Sequence, residues 1–235
     1  MFQVVGDQTL RSLFLVVVSH GKQSCSLFYH YEMFIFSPYH EDGGTANKAQ
    51  AIIYNPGRLE ILEDHHFWFS ETPDVISSGW DEMKFRRGGF CVVFKDRKTG
   101  GKFFMMHSHS PLGKEANLHA ASIINEKARQ YNPDNLPAIF VGDLNTRPDT
   151  PSSDVLRKYW SDVYLTLPSD KISGPHGTFN SHNVDKDMTT AARIDYIYYR
   201  GDQVRPLNYC CDTSRYNGLY PSDHCPIYSD ILIIK

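Results

Sequence analysis

The segment that most constrains this chain is AIFVGDLN, in which an apolar run leads directly into polar residues. Ala138–Val141 is the kind of stretch that forms a β-strand buried on both faces, and it is followed by Gly142, Asp143, Leu144 and Asn145. Residues two apart on a strand point to the same side. A core strand that directs an acid and an amide to one place predicts a chemical site at its end.

Further strand-like and helix-like stretches surround this segment. Residues 114–131 repeat apolar side chains at helical spacing and stop before an Asn-Pro pair, which predicts a helix. A second helix is expected over 151–159, capped by Asp149 or Thr150. The pattern, with no internal repeat or linker, predicts one mixed α/β domain over residues 1–235. Strands are predicted over 49–55, 67–70, 89–96, 102–110, 138–143, 193–200 and 226–234.

Composition and charge restrict the kinds of partner. Hydrophobic residues make up 41% and charged residues 22% of the 235 residues, which is typical of a soluble globular protein. The formal net charge of −3 provides no global basic field of the kind that avid binding of long nucleic acid usually requires. The sequence also lacks a basic recognition helix, which disfavours a sequence-specific DNA reader.

Targeting and cysteine patterns bear on location. The apolar stretch Leu13–Val18 is too short to span a bilayer and has neither a basic start nor a cleavage site. The five cysteines form no CxxC motif and no spaced framework, which favours free thiols over a disulfide-stapled secreted domain. We therefore expect a cytoplasmic protein without a membrane span, while secretion stays open.

Four short segments carry side chains suited to chemistry, and each also has an ordinary structural explanation. A His-x-His pair on a strand often serves only packing or the surface, and an Asp after a strand is often a turn or cap residue. Asp195 could pair with Arg193, and Asp223 and His224 before Pro226 fit a plain turn. Their co-occurrence at strand ends, where α/β sheets build ligand sites, favours a common site. The segments are HSHSP (107–111), GDLN (142–145), RIDYI (193–197) and SDHCP (222–226).

Together with GTFN (177–180), these ordered motifs resemble the endonuclease/exonuclease/phosphatase superfamily, over roughly residues 29–235. Residues 29–82 also resemble bacterial, largely uncharacterised members of that superfamily. The resemblance implies an α/β (α+β) fold in the form of a four-layer sandwich. In it, two mixed β-sheets pack face to face with helices outside, and one site lies at the strand ends.

The resemblance also implies catalytic roles. His224 matches the essential histidine, and Asp195 matches the carboxylate that orients and charges it. Asp143 matches the acid that binds or activates the attacking water, or else holds metal, and His109 matches a second histidine that hydrogen-bonds a phosphate oxygen. The implied catalytic set is His224, Asp195, Asp143 and His109.

Phosphate-binding and metal-binding roles follow in the same way. His107 competes with His109 for the second-histidine position, because the motif spacing can be drawn from either. Arg86 and Arg87 fall where related bacterial proteins carry an arginine near the site, which fits either phosphate contact or a solvated surface pair. The implied cofactor is Mg²⁺ or Mn²⁺, hard cations that prefer carboxylate and amide oxygens. The implied phosphate-binding residues are Asn145, His107 and Arg86, and the implied metal ligands are Asp223, Asp143 and Asn145.

The N-terminal segment departs from the family pattern. The family opens with a strand ending in Asn and another ending in Gln-Glu, whose glutamate is a characteristic metal ligand, yet residues 1–28 contain neither Glu nor Asn. At the expected place the chain has His20 and Gln23, and Asn117 or Leu118 stands near the place of a family arginine. We hypothesise a truncated or replaced N-terminus that weakens the metal site. Glu32, Asp7 or Glu41 could replace the missing glutamate as a metal ligand, but their spacing in the sequence favours none of them.

The expected function is divalent-metal-dependent hydrolysis of phosphoester bonds, in which an Asp-supported histidine assists attack by a metal-activated water. The phosphoester substrate, small molecule or nucleic acid, stays undecided, as do monoester against diester and the oligomeric state. One alternative is a degenerate member that binds a phosphorylated ligand or partner without turnover. Another is a zinc hydrolase that uses the His-x-His pair, although no third ligand is signalled.

Overall fold

The computed structural model describes residues 13–14, 34–40, 49–80 and 86–234. The expectations for His20, Gln23 and the three substitute ligands lie outside these residues.

The described residues form fourteen strands and three α-helices. The helices are α1 (Lys114–Tyr131), α2 (Pro151–Arg157) and α3 (Val163–Thr166). The strands of the first half are β1 (Leu13–Phe14), β2 (Phe34–His40), β3 (Ala49–Tyr54), β4 (Leu59–Trp68), β5 (Gly88–Asp96), β6 (Lys102–His109) and β7 (Ala138–Asp143). Those of the second half are β8 (Ser161–Asp162), β9 (Ile172–Ser173), β10 (Asp195–Arg200), β11 (Val204–Pro206), β12 (Tyr209–Cys211), β13 (Ile227–Ser229) and β14 (Ile231–Ile233).

A six-stranded sheet with the order β4-β5-β6-β7-β10-β8 is the central layer. Strands β6 and β7 are parallel, because the chain crosses over through α1 between them, and the other pairs are antiparallel. All six residues of β7 are buried, as the apolar run predicts. The sheet is therefore covered on both faces.

Alternation along the strands divides the apolar side chains between two cores. One core lies between the sheet and the two helices α1 and α2, and includes Phe140 and Ala120. The other joins the opposite face of the sheet to strands β11–β14. Its members from the central sheet include Phe90, Met105, Val141 and Ile197, and those from β12 and β13 include Tyr209, Cys211 and Ile227.

This arrangement confirms the expected sandwich of two mixed sheets with helices outside. The second sheet has the order β1-β13-β12-β9 and is also mixed, because β12 and β9 are parallel. The described elements provide these two sheets, the two-stranded sheets β2-β3 and β11-β14, and one outer helix layer. Within the described ranges, no helix is long and apolar enough to cross a membrane.

Some element bounds differ from those predicted. Helix α1 has the predicted bounds, and α2 begins as expected with Thr150 as its cap but ends at Arg157. Strand β4 begins at Leu59 and extends well before the predicted 67–70, because its charged middle is exposed and lacks an apolar signal. The predicted strand 226–234 is broken at Asp230, whose backbone N–H donates to Asn208 Oδ1 over 2.7 Å.

Arg193 is fully buried and pairs with Asp162. Its Nη1 and Nη2 atoms donate to Asp162 Oδ1 and Oδ2 over 3.1 and 2.8 Å. The rings of Tyr164 and Tyr196 lie 4.8 and 4.6 Å from the guanidinium carbon. Arg193 is thus paired away from Asp195, which resolves one of the alternatives left open by the sequence.

Replacing Asp162 with Asn should lower the free energy of unfolding by about 3–5 kcal/mol, because a buried guanidinium then lacks its counter-charge. Asparagine retains the side-chain oxygen that accepts the Tyr164 N–H at the start of α3, so the helix cap is preserved. The measurement is urea-induced unfolding followed by circular dichroism.

The matched control is Asp154→Asn, which breaks the partly exposed pair of Asp154 with Arg157. Such a pair contributes less than about 1 kcal/mol. Equal losses of stability in the two variants would contradict the role assigned to the buried pair.

Candidate active site

Three of the predicted site residues form one row across the central sheet. His109 of β6 is opposite Asp143 of β7, and Asp143 is opposite Asp195 of β10. Residues paired in register on neighbouring strands point to the same face of a sheet. The strand register therefore brings together side chains that are far apart in the sequence.

The end of β7 is shaped by Gly142 and Asn145. A β-carbon on Gly142 would lie 1.9 Å from the Ser108 carbonyl oxygen, so only glycine allows β6 to approach here. Asn145 has φ 48°, in the left-handed region that few residues other than glycine adopt. Its backbone N–H donates to Asp143 Oδ1 over 3.0 Å, and its amide donates to the Ser110 carbonyl over 2.9 Å. These bonds fix the direction of the Asp143 carboxylate.

His224 is joined to the row by Asp195. Its Nδ1 atom lies 2.8 Å from Asp195 Oδ2, and its Nε2 atom lies 3.9 Å from Asp143 Oδ2. The Phe179 ring packs beside the imidazole with its centroid 5.0 Å away. Because Asp195 accepts from Nδ1, the Nε2 atom is the one presented to the rest of the site.

The GTFN segment supports the Asp195–His224 pair through hydrogen bonds. Thr178 Oγ1 accepts the backbone N–H groups of Ile194 and Asp195 over 3.1 and 3.2 Å. The backbone N–H of Asn180 donates to the Asp223 carbonyl over 2.8 Å, and its side chain donates to the Ser222 carbonyl over 3.0 Å. The segment thus fastens the start of β10 to the loop that carries His224.

His109 contacts Asp143 on the other side. Its Nε2 atom lies 3.3 Å from Asp143 Oδ2 and also contacts the guanidinium of Arg87. The Asp143 carboxylate therefore lies between two imidazoles, those of His109 and His224. Both Asp143 and His109 are buried, whereas the His224 side chain keeps 21% of its surface exposed, which gives the site a route to solvent.

The protonation states follow from this geometry. Burial opposes a charge on His224, but the Asp195 hydrogen bond and the carboxylates of Asp143 and Asp223 raise its pKa to about 9. Burial would raise the pKa of Asp143, but the hydrogen bond with His109, the nearby imidazoles and the Asn145 N–H lower it. At neutral pH the site therefore contains an imidazolium beside a carboxylate. Burial raises the pKa of Asp195, and its hydrogen bond with His224 opposes that rise.

The two histidines of the HSHSP motif have different surroundings. His107 lies on the same face as His109 but deeper in the sandwich, where its Nδ1 atom is 3.1 Å from Gln50 Oε1. Burial lowers the pKa of His107 to about 3, which keeps the ring neutral. The contact with Asp143 belongs to His109, and His107 contacts the core.

The remaining predicted residues are less closely gathered. Arg86 is half-buried just before β5, and its neighbour Arg87 is the arginine in contact with His109. The Asp223 carboxylate is bonded by Ser222 Oγ over 3.4 Å and lies outside the close cluster formed by Asp143, Asp195 and His224. The sequence marked the Arg86–Arg87 pair but held no local signal to choose between its members.

The donor set fits a divalent cation. One carboxylate oxygen each from Asp143 and Asp195 and one ring nitrogen of His224 lie within 4.8 Å of one another, although His224 can bind a cation only after losing its proton. The Asn145 amide donates through its nitrogen to Ser110, and within the described part of the chain its oxygen accepts no hydrogen bond. Since Asp195 is engaged with His224, the oxygens of Asp143 and Asn145 are the most available hard ligands.

Comparisons with known proteins identify the family of this chain. The family model described as the Endonuclease/Exonuclease/phosphatase family matches residues 19–224. A protein of that family from Bacteroides thetaiotaomicron is 29% identical, with a TM-score of 0.76 over 87% of this chain and 76% of that one.

Two further relatives extend the comparison. A mannosyl-6-phosphatase of Bacteroides thetaiotaomicron is also 29% identical, with a TM-score of 0.75 over 85% of this chain and 77% of that one. The uncharacterised protein L388 of Acanthamoeba polyphaga mimivirus is 24% identical over 203 residues, which are 79% of this chain and 70% of the relative. Since the family model spans most of the sequence and includes every residue of the row, the chain belongs to the endonuclease/exonuclease/phosphatase family.

Proposed function

We propose that the protein hydrolyses phosphoester bonds with the help of Mg²⁺ or Mn²⁺. The observation that carries this proposal is the Asp143 carboxylate, held by the Asn145 N–H between His109 and the His224–Asp195 pair. Hydrolysis of an anionic phosphoester depends on charge neutralisation and positioning more than on covalent help. The site offers both.

His224 acts as a cationic hydrogen-bond donor. Asp195 holds Nδ1–H, and at neutral pH the raised pKa keeps a proton on Nε2, which faces the open part of the site. A phosphoryl oxygen placed there accepts a charge-assisted hydrogen bond, which strengthens as negative charge develops on it. In the protein without bound metal, the positive charge of the imidazole suits His224 to stabilising the phosphate by hydrogen bonding.

Asp143 orients the attacking water. Its lowered pKa makes it a weak proton acceptor but keeps it ionised at neutral pH, which suits a carboxylate that holds water or a cation. Arg87 contacts His109 on the side of Asp143 away from His224, and its guanidinium adds positive charge near the phosphate. A divalent cation held by the Asp143 and Asn145 oxygens would supply further neutralisation of the phosphate charge.

A small phosphorylated molecule is the first substrate class to consider. The relative described as a mannosyl-6-phosphatase is 29% identical and covers most of this chain, which supports a sugar phosphate. The net charge of −3 agrees with a small substrate rather than a long nucleic acid. A monoester is thus proposed ahead of a diester.

One prediction from the proposed function concerns turnover. Release of phosphate from mannose 6-phosphate, and of nitrophenol from bis(p-nitrophenyl) phosphate, should require Mg²⁺ or Mn²⁺ and cease with a chelator. Asp143→Asn and His224→Gln should each lower kcat by about 10²–10⁴-fold, because each removes a group that acts on the reacting phosphate. Steady-state kinetics on both substrates provides the measurement.

Asp154→Asn is the control, since it neutralises a surface carboxylate on α2. It should retain wild-type turnover. A folded wild-type protein that binds phosphate but turns over neither substrate would exclude hydrolysis of these two ester types and favour a phosphate-binding role without turnover.

The second prediction concerns His224 in the protein freed of metal. Its pKa should lie near 9, so the ring stays charged through neutral pH and loses its proton as the pH rises through 9. Asp195→Asn removes the carboxylate that stabilises the imidazolium, and burial then shifts the pKa downward. Imidazole ¹⁵N chemical shifts followed across pH give the value directly.

Asp154→Asn again serves as the control and should leave the His224 titration unchanged. If the His224 pKa were the same in the wild type and in Asp195→Asn, the electrostatic role of Asp195 would be wrong.

A further inference from the structure

Asn117 is a buried amide in the first turns of α1, and its side chain faces the loops beyond β6 and β7. Its Nδ2 atom lies 2.7 Å from the Pro111 carbonyl oxygen, 3.0 Å from that of Leu144 and 3.3 Å from that of Asn145. Two N–H groups are thus shared among three acceptors. Asn117 is 5% exposed, so water does not replace these bonds easily.

The three carbonyls belong to the two loops that carry the candidate active site. Pro111 follows His109 by two residues, and Leu144 and Asn145 follow Asp143 directly. The loops are also joined on the site side, where the Ser110 N–H donates to the Asp143 carbonyl over 2.9 Å. Asn117 joins the same loops from the helix side.

The contact matters for Asn145 in particular. Its left-handed φ of 48° is sparsely populated and needs support from its surroundings. In this conformation its N–H reaches Asp143 Oδ1 while its carbonyl lies against the Asn117 amide. A loop that relaxed out of this conformation would withdraw both the N–H from Asp143 and the amide oxygen from the cation position.

We propose that Asn117 is a positioning residue for the hydrolytic site, which fixes the loop of Asp143 and Asn145 by binding its backbone carbonyls. The expected effect of Asn117 on catalysis rests on the proposed function. Its effect on the position of the loop rests on hydrogen-bond geometry alone. Residues that orient the ligands of a metal or catalytic group in this way alter affinity or activity without touching the substrate.

The chain offers a matched control in Asn125 on the same helix. Asn125 is equally buried at 5%, and its Nδ2 atom donates to the Val155 carbonyl over 2.7 Å. That bond joins α1 to α2 and does not involve the loops of the site. If Asn117 served only to stabilise the fold, Asn117→Asp and Asn125→Asp would have similar effects on every property.

The first readout needs no turnover. In Asn117→Asp, hydrogen exchange at the Asn145 backbone amide should accelerate by at least about tenfold relative to the wild type, because the loop loses its support. In Asn125→Asp it should match the wild type. Unchanged exchange in Asn117→Asp, or equal acceleration in both variants, would overturn the proposal.

The second readout separates an effect on substrate binding, seen in KM, from effects on kcat and on Mn²⁺ binding. Asn117→Asp should lower kcat by about 10–100-fold and weaken Mn²⁺ binding in calorimetry by a similar factor, while KM changes little. Asn125→Asp should keep wild-type values of all three. Equal kcat values in the two variants would overturn the catalytic part of the proposal.

Asn117→Ser, which is smaller and uncharged, repeats the comparison with Asn125→Ser if the aspartate variant does not fold.

The two readouts separate this inference from the proposed function. A wild type without turnover or Mn²⁺ binding would contradict the proposed function and the catalytic consequence. The exchange difference would still decide whether Asn117 positions the loop.

Discussion

The site depends on the register of three strands. Because β6 pairs with β7 in parallel and β7 pairs with β10 antiparallel, His109, Asp143 and Asp195 take adjacent positions on one face. A slip of one residue would turn every side chain of a strand to the opposite face and dismantle the row. The register is held by the buried apolar residues on both faces and by the close approach that Gly142 permits. The packing of the core therefore also determines where His109, Asp143 and Asp195 lie at the strand ends.

Charge pairing decides which groups remain available to a ligand. Arg193 is neutralised by Asp162 deep in the fold, which leaves Asp195 to bind His224. The same carboxylate keeps the imidazole charged at neutral pH, and that charge helps to lower the pKa of Asp143. Arg193 and Asp162 therefore form a structural pair, Asp195 and His224 form a second pair at the candidate site, and the Asp143 carboxylate contacts the imidazoles of His109 and His224.

Much of this arrangement was predictable from sequence, because the informative signals are local. Helix α1, the buried strand β7 and the motif residues Asp143, Asp195 and His224 all follow from short patterns. The assignment of His109 over His107 to the contact with Asp143 depends on pairing between distant strands. The same holds for Arg87 and Asn117, whose partners lie in other elements. Residues 1–28 contain no glutamate, and the proposal that this weakens the metal site stays a hypothesis, because most of these residues lie outside the described ranges.

Titration of inorganic phosphate into protein with ¹⁵N-labelled histidine, followed through the imidazole signals, tests the proposed site most directly. Phosphate is the product of the proposed reaction and should bind between the two imidazoles that flank Asp143. The signals of His109 and His224 should shift together with one dissociation constant, while those of His107 in the core should stay unchanged. Shifts confined to His107, or saturation of phosphate binding without a response from His109 and His224, would contradict the proposed site.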